Sequence, residues 1–365
     1  MGPLSTVRRL LLASILASAT LFHAAPAATA PTVSAPVKAR FAKTKKRADP
    51  TRIGAIFGGA SAKPLLRMKD GKTFPLESPG SITLGPGSAP PELQRYQAYY
   101  GAVSDNPLSE RPTALAVAAR VDHSARQTPV KNQGSRGTCG AFGLVAGMES
   151  YLRWKASIEA DISEEHFFKL LKDSVNKSCN SDGTTAQGMQ SQMTGKKICS
   201  EELLPYAAPS SCTIPAACAA AAAFSLERSV VIPKDAAYSG STYFAGNTKV
   251  LEAFLDMGYD VTVAVEVAGS GWSDDAANGV IDVQVDASGD PVEPRGSHFM
   301  LAVGYDRLGG YFIVKNSWGT GWGRDGYARI SYDYVQTYPR GSIVVLEASR
   351  KYDIHQASTP IGGAK

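Results

Sequence analysis

A chain of 365 residues has room for a sizeable core and more than one folding unit, and 44% apolar with 19% charged residues excludes wholesale disorder. Apart from one apolar run near the start, no stretch of 18 or more apolar residues occurs, which excludes a multi-span helical membrane protein. The net charge of +5 divides unevenly: residues 1–119 carry 15 Lys and Arg against 6 Asp and Glu, whereas residues 120–365 carry 23 against 27. Basic character belongs to the front and not to the body, so no nucleic-acid partner is expected.

Residues 1–30 have the layout of a secretory signal: Arg8 and Arg9, an apolar stretch from Leu10 to Phe22, then the small-residue site Ala28-Thr29-Ala30. The rival is a membrane anchor, but the run is too short for ~30 Å of hydrocarbon. A secreted or otherwise extracytoplasmic protein is expected, with no span left after signal removal. Residues 31–118 read as a pro-segment or partly disordered linker. Lys38 to Arg52 holds seven basic residues and one acid, and Pro36, Pro50, Pro64, Pro75, Pro79, Pro86, Pro90 and Pro91 would break long helices or central strands.

From Asp122 the pattern becomes regular. Helical spacing runs over Cys139–Lys155, with Glu149 and Arg153 placed to pair at i,i+4. Ser163 can cap a helix over Glu164–Lys172, and Asn247 to Met257 forms a third, stopped by Gly258. Ala216–Ala223 reads as plain helix. Strands follow at Val261–Val267, Phe299–Tyr305, Tyr311–Lys315, Tyr327–Tyr332 and Ser342–Leu346. Helices first and strands later predict an α+β fold of two lobes, helical over about 125–225 and β over about 226–350, followed by a tail at 351–365.

Three residues carry the chemistry. In Gln133-Gly134-Ser135-Arg136-Gly137-Thr138-Cys139, the cysteine opens an amphipathic helix, whose dipole favours thiolate. Gln133 can lend its amide to a developing oxyanion beside the Cys139 N–H. Alone, Cys139 could equally be a buried structural thiol. His298 then heads an apolar strand, and Asn316 ends the next one, where it can accept an imidazole N–H and fix the tautomer. Trp318 can cover that bond. His123 and His166 have no evident partners, and Trp272 lies in a Gly/Ser/Asp loop where surface exposure is expected. Asn176-Lys177-Ser178 is a glycosylation sequon. Five cysteines leave four besides Cys139 for two bridges in three possible pairings; no C-x-x-C exists, so no metal or other cofactor is expected.

These segments resemble the papain-like cysteine proteases. Pro129-Val130-Lys131-Asn132-Gln133-Gly134-Ser135 is similar to the run before that family's nucleophile, and Asn316-Ser317-Trp318-Gly319-Thr320-Gly321-Trp322-Gly323 is nearly its asparagine motif. Ile162-Ser163-Glu164-Glu165 and Val261–Glu266 fall between them in the family's order, over roughly 119–350. The resemblance implies a papain-like fold, a helical lobe followed by an antiparallel β-barrel-like lobe, and a Cys139–His298–Asn316 endopeptidase with Gln133 as oxyanion donor. It further implies Gly183, Thr184, Thr185, Ala264, Ser297, Phe299 and Trp318 around an extended peptide substrate, a Cys179–Cys212 bridge that leaves Cys199 for Cys218, and a monomer. The positive charge of the front segment separately suggests a pro-segment docked on the acidic body as an intramolecular inhibitor, although the long charged helix that many family members use for this is missing. Arg136 stands where the family has a cysteine, Gly140 where it has a tryptophan, and Asp182 interrupts its Gly-Gly pair. The alternatives are transfer of the acyl group to an amine by a transpeptidase or amidase, and a non-catalytic peptide-binding relative.

Overall fold

The computed structural model of the chain describes residues 65–67, 73–76, 118–235, 245–274, 276 and 279–351; the signal-like segment, the Lys38–Arg52 run and the tail beyond 351 lie outside the described residues. Apolar residues at helical spacing form α1 (Cys139–Lys155), and Leu144, Val145, Met148 and Leu152 on it are fully buried. The Ser163 side chain accepts the His166 N–H and caps α2 (Glu164–Asp173); Thr185 accepts the Gly188 N–H and caps α3 (Ala186–Met193). The alanine-rich stretch yields a shorter α4 (Ala216–Ala220) than its composition suggests. Asn247 caps α5 (Thr248–Asp256), and Gly258 follows it at φ +85°.

Eight strands make the main sheet: β3 (Arg120–Asp122), β4 (Lys197–Ile198), β5 (Phe224–Ile232), β6 (Val261–Val267), β7 (Gly296–Asp306), β8 (Tyr311–Lys315), β9 (Tyr327–Ser331) and β10 (Pro339–Arg350). Their order is β4-β5-β10-β6-β7-β8-β9, with antiparallel pairing throughout and β3 beside the end of β7. The α+β class is as expected, and the lobe expected to be barrel-like is an antiparallel sheet that does not close into a barrel among the described residues. β4 and β9 stand at opposite ends of the order, so the sheet is open, and α6 (Gly271–Asp274) lies in the β6–β7 connection. Tyr332 is not a strand end: Ser331 accepts the Tyr334 N–H and starts α7 (Tyr332–Thr337).

Two cores flank this sheet. One joins α1, α2 and α3 to Ala264, Phe299, Ile343 and Val345; the other joins α5 to Val263, Val265, Phe312, Val314, Trp272, Trp318 and Trp322. α1 reaches the strands closely because Gly143 faces them. A Cβ there would lie 2.9 Å from Thr262 Cγ2, and Thr262 Oγ1 instead donates to the Gly143 carbonyl at 2.9 Å. The helix that Cys139 opens is thereby pressed against the strand that neighbours His298.

Within the region expected to be a pro-segment or partly disordered linker, the described residues form a short hairpin. β1 (Leu65–Arg67) pairs antiparallel with β2 (Thr73–Pro75), proline falling at the strand end where a missing N–H is tolerated. Leu66 and Leu76 are 2% exposed and belong to the β-lobe core. In the helical lobe, Cys179 bonds to Cys212 and Cys199 to Cys218.

His123 and His166 do have partners. His123 Nδ1 lies 2.6 Å from the buried Asp260 carboxylate, which also takes Arg126 and Gln127. His166 is buried, and its Nδ1 accepts the Cys199 N–H at 3.0 Å. Burial, with Lys169 nearby, lowers its pKa from 6.5 to about 4. The folded state therefore holds His166 neutral where the unfolded chain binds a proton. Stability from this group is present above pH 6.5 and lost as pH falls towards 4. The urea midpoint should fall across that window, and His166→Gln, which can still accept an N–H, should flatten the fall.

Candidate active site

Cys139 is the first residue of α1, fully buried and outside both disulfides. The preceding residue, Thr138, makes no side-chain cap, since its hydroxyl is engaged with Tyr206 Oη at 2.8 Å. The positive end of the helix therefore faces the cysteine without a capping oxygen between.

The sequence separates His298 and Asn316 by eighteen residues, and the sheet brings them together. His298 lies on β7, opposite Val265 on β6, and Asn316 follows directly on β8. His298 Nε2 is 2.7 Å from Asn316 Oδ1, which fixes the donor on Nε2 and leaves Nδ1 with no hydrogen-bond partner. Burial lowers the imidazole to about 4, and the bond to Asn316 pulls the other way. Trp318 lies over the ring, centroids 4.3 Å apart at 31°.

Trp272, expected at the surface, is fully buried beneath this pair. Its ring meets His298 edge-on at 6.2 Å, and its indole N–H donates to Tyr334 Oη at 2.8 Å. That partner is what allows the indole to leave water. Its sequence context gave no signal, because the partner is 62 residues away.

Gln133 is tied to the asparagine segment. Its N–H donates to the Ser317 carbonyl at 2.9 Å, and its Oε1 accepts from Ser317 Oγ at 2.7 Å. One hydrogen of Nε2 goes to the Arg136 carbonyl at 2.9 Å, and the amide carries a second. Ala264, Ser297 and Phe299 line up on facing strands beside His298, all buried. Gly183 sits at φ +83°; its N–H donates to the Gly137 carbonyl and its carbonyl accepts from Lys172, so both of its backbone polar groups are already engaged. Thr185 uses its hydroxyl on α3, and the Thr184 methyl group approaches Gly140. A hollow of about 700 Å³ on the helical side and a cavity of about 20 Å³ behind Asn316 both exclude Cys139 and His298 from their walls.

Residues 116–344 match the family model described as papain family cysteine protease. The chain belongs to the papain family. It is 30% identical to human cathepsin L2 over 218 residues, 56% of this chain and 58% of that protein. It is 29% identical to rat procathepsin L over 240 residues, covering 62% and 64% of the two. The chain thus spans between half and two thirds of these curated relatives. Xylellain, a cysteine protease from Xylella fastidiosa, superposes with a TM-score of 0.50 at 19% identity, over 73% of this chain and 98% of that one, a likeness of fold.

Departures from the papain-family pattern now have physical accounts. Arg136, in place of a cysteine, makes a different tether: it meets Glu165 and the Ala207 carbonyl, each at 2.5 Å, and the Cys179 carbonyl at 2.8 Å, between the Phe168 and Tyr206 rings. Gly140 is required by space, since a Cβ there would fall 2.2 Å from Thr184 Cγ2. Asp182 takes the Gly137 N–H at 2.9 Å and pins the loop before Cys139.

Proposed function

We propose that this protein is a secreted cysteine endopeptidase in which Cys139 attacks the peptide carbonyl, His298 moves the proton, Asn316 orients the ring and Gln133 steadies the oxyanion. The observation that carries this reading is the His298–Asn316 bond, which commits Nε2 to the asparagine and leaves Nδ1 to take the thiol proton. With the ring held near 4 by burial, imidazolium forms only beside a negative charge, which the thiolate at the head of α1 supplies. The acyl-enzyme is then hydrolysed by water. The substrate is an extended peptide lying past Ala264, Ser297 and Phe299 on one side and Gly183, Thr184 and Thr185 on the other, with Trp318 shielding the ring. The two disulfides, in a chain with a signal-like start, support an oxidising compartment.

The basic segment before residue 119 is the candidate inhibitor. Residues 31–119 carry 13 Lys and Arg against 6 Asp and Glu, facing an acidic body, and a tethered segment acts at roughly millimolar effective concentration. One experiment tests both ideas: react the whole chain with an epoxysuccinyl thiol inhibitor before and after limited cleavage between Arg111 and Arg120. The label should map to Cys139, and cleavage should speed it. Label on no cysteine would sink the mechanism; equal rates would retire the inhibitory segment alone.

A further inference from the structure

The nucleophile and the oxyanion amide lie on one stretch of chain and the orienting asparagine on another, and one largely buried line of polar groups joins the two. Lys315, immediately before Asn316, donates through Nζ to Thr128 Oγ1 at 3.1 Å. Thr128 donates in turn to Glu149 Oε2 at 2.6 Å, and Glu149 stands on α1, the helix that Cys139 opens. Glu149 Oε1 accepts from Lys131 Nζ and from the Ile162 N–H, both at 2.9 Å. Lys131, two residues before Gln133, also reaches Glu164 at 2.9 Å and Asp161 at 2.7 Å. Lys315, Thr128, Glu149 and Glu164 are all 6% exposed or less.

Stability alone is a weak reason for such an arrangement. Burying paired charges costs desolvation, and an apolar cluster of the same volume would hold the lobes together equally well or better. What a hydrogen-bonded line supplies is register, because each link admits one geometry. We infer that the Lys315–Thr128–Glu149 link positions the catalytic groups: it sets the strand end carrying Asn316 against the helix carrying Cys139, and through Lys131 against the Gln133 segment. Lys315 and Thr128 are thus positioning residues, and the inference rests on the Cys139–His298–Asn316 reading above. The balance of charge is consistent with a held geometry. Burial brings Lys315 down to about 8, while Glu149, Glu164 and Asp260 support its charge and Lys131 opposes it.

The test compares Thr128→Val, Thr128→Ser and Lys315→Met in the whole chain. Thr128→Val keeps the shape and removes the hydroxyl. It should lower kcat roughly tenfold to a hundredfold with KM little changed, as misplacement by about an ångström does. Thr128→Ser should restore it. The alkaline limb of Cys139 alkylation by iodoacetamide should move to lower pH in Thr128→Val, because a ring less well held by Asn316 supports less imidazolium. Lys315→Met should act alike, and the double variant should be no worse than either single one. Wild-type kcat and an unmoved limb in Lys315→Met, with only a lower urea midpoint, would overturn the inference and leave the line a structural brace. Should Thr128→Val not fold, Lys315→Met decides by the same readouts. Turnover retained in Cys139→Ser would instead overturn the underlying reading, so the two failures are distinct.

Discussion

Cys139→Ser should fold as the parent does and lose peptide hydrolysis by roughly 10⁴-fold or more, since a knocked-out nucleophile removes the covalent route and leaves only binding and oxyanion stabilisation. The substitution removes bulk from a fully buried site and adds no group the helix end cannot accept, so the urea midpoint should barely change. The serine hydroxyl ionises far above the thiol, and an imidazole that burial holds near 4 cannot take its proton readily. Asn316→Ala leaves both reacting atoms in place and frees the ring. Its loss should be smaller, roughly 10²-fold, and in kcat more than in KM. Steady-state kinetics on a fluorogenic peptide separate the cases; an Asn316→Ala rate equal to wild type would mean that Trp318 and Trp272 alone hold the ring.

Arg136→Ala should be the most destabilising single change in the helical lobe, at about 3–5 kcal/mol, because it strands a buried carboxylate. Glu165 is 1% exposed and would be left with Lys169 at 3.5 Å and the Ala207 N–H at 3.5 Å. The Cys179 and Ala207 carbonyls would also lose a donor, and the loop carrying Gly137 would lose its anchor to the disulfide-bonded segment. Adding Glu165→Gln should recover part of the loss, as the uncompensated charge goes with it. Urea unfolding of the three chains checks this, and equal midpoints for wild type and Arg136→Ala would show that Asp182 holds the loop without help.

The parts of the site readable from sequence are those whose chemistry is local. Cys139 at a helix start and His298 at the head of an apolar run are both written within a few residues, and Asn316 follows at the end of the next strand. α1, β6 and β8 have the bounds their periodicity predicts, because each is decided by apolar spacing. What escaped depended on distant partners. Trp272 looked exposed until Tyr334 supplied an acceptor. The Glu149–Arg153 pair is geometrically sound on a helix, yet Glu149 turns inward to Thr128 and Lys131 while Arg153 goes to Glu159 and the Gln127 carbonyl. β5 was invisible because Glu227 and Arg228 interrupt its apolar run, although β10 pairs with it along its whole length. Whether the sheet closes is a property of its two edges, which no short window of sequence contains.

The hairpin at 65–76 turns a single peptide bond into a concentration switch. Its two buried leucines stabilise its docking by about 1.5–3 kcal/mol each. As part of one chain that is ample, because the tether has already brought the surfaces together. Once the backbone is cut anywhere between 77 and 117, the same contact becomes an association between two molecules, which costs about 4–15 kcal/mol of lost translational and rotational freedom. Together the two leucines supply about 3–6 kcal/mol, which reaches only the low end of that cost. Return of the severed piece is then second order, so how much of it stays docked depends on concentration as it never does in the uncut chain.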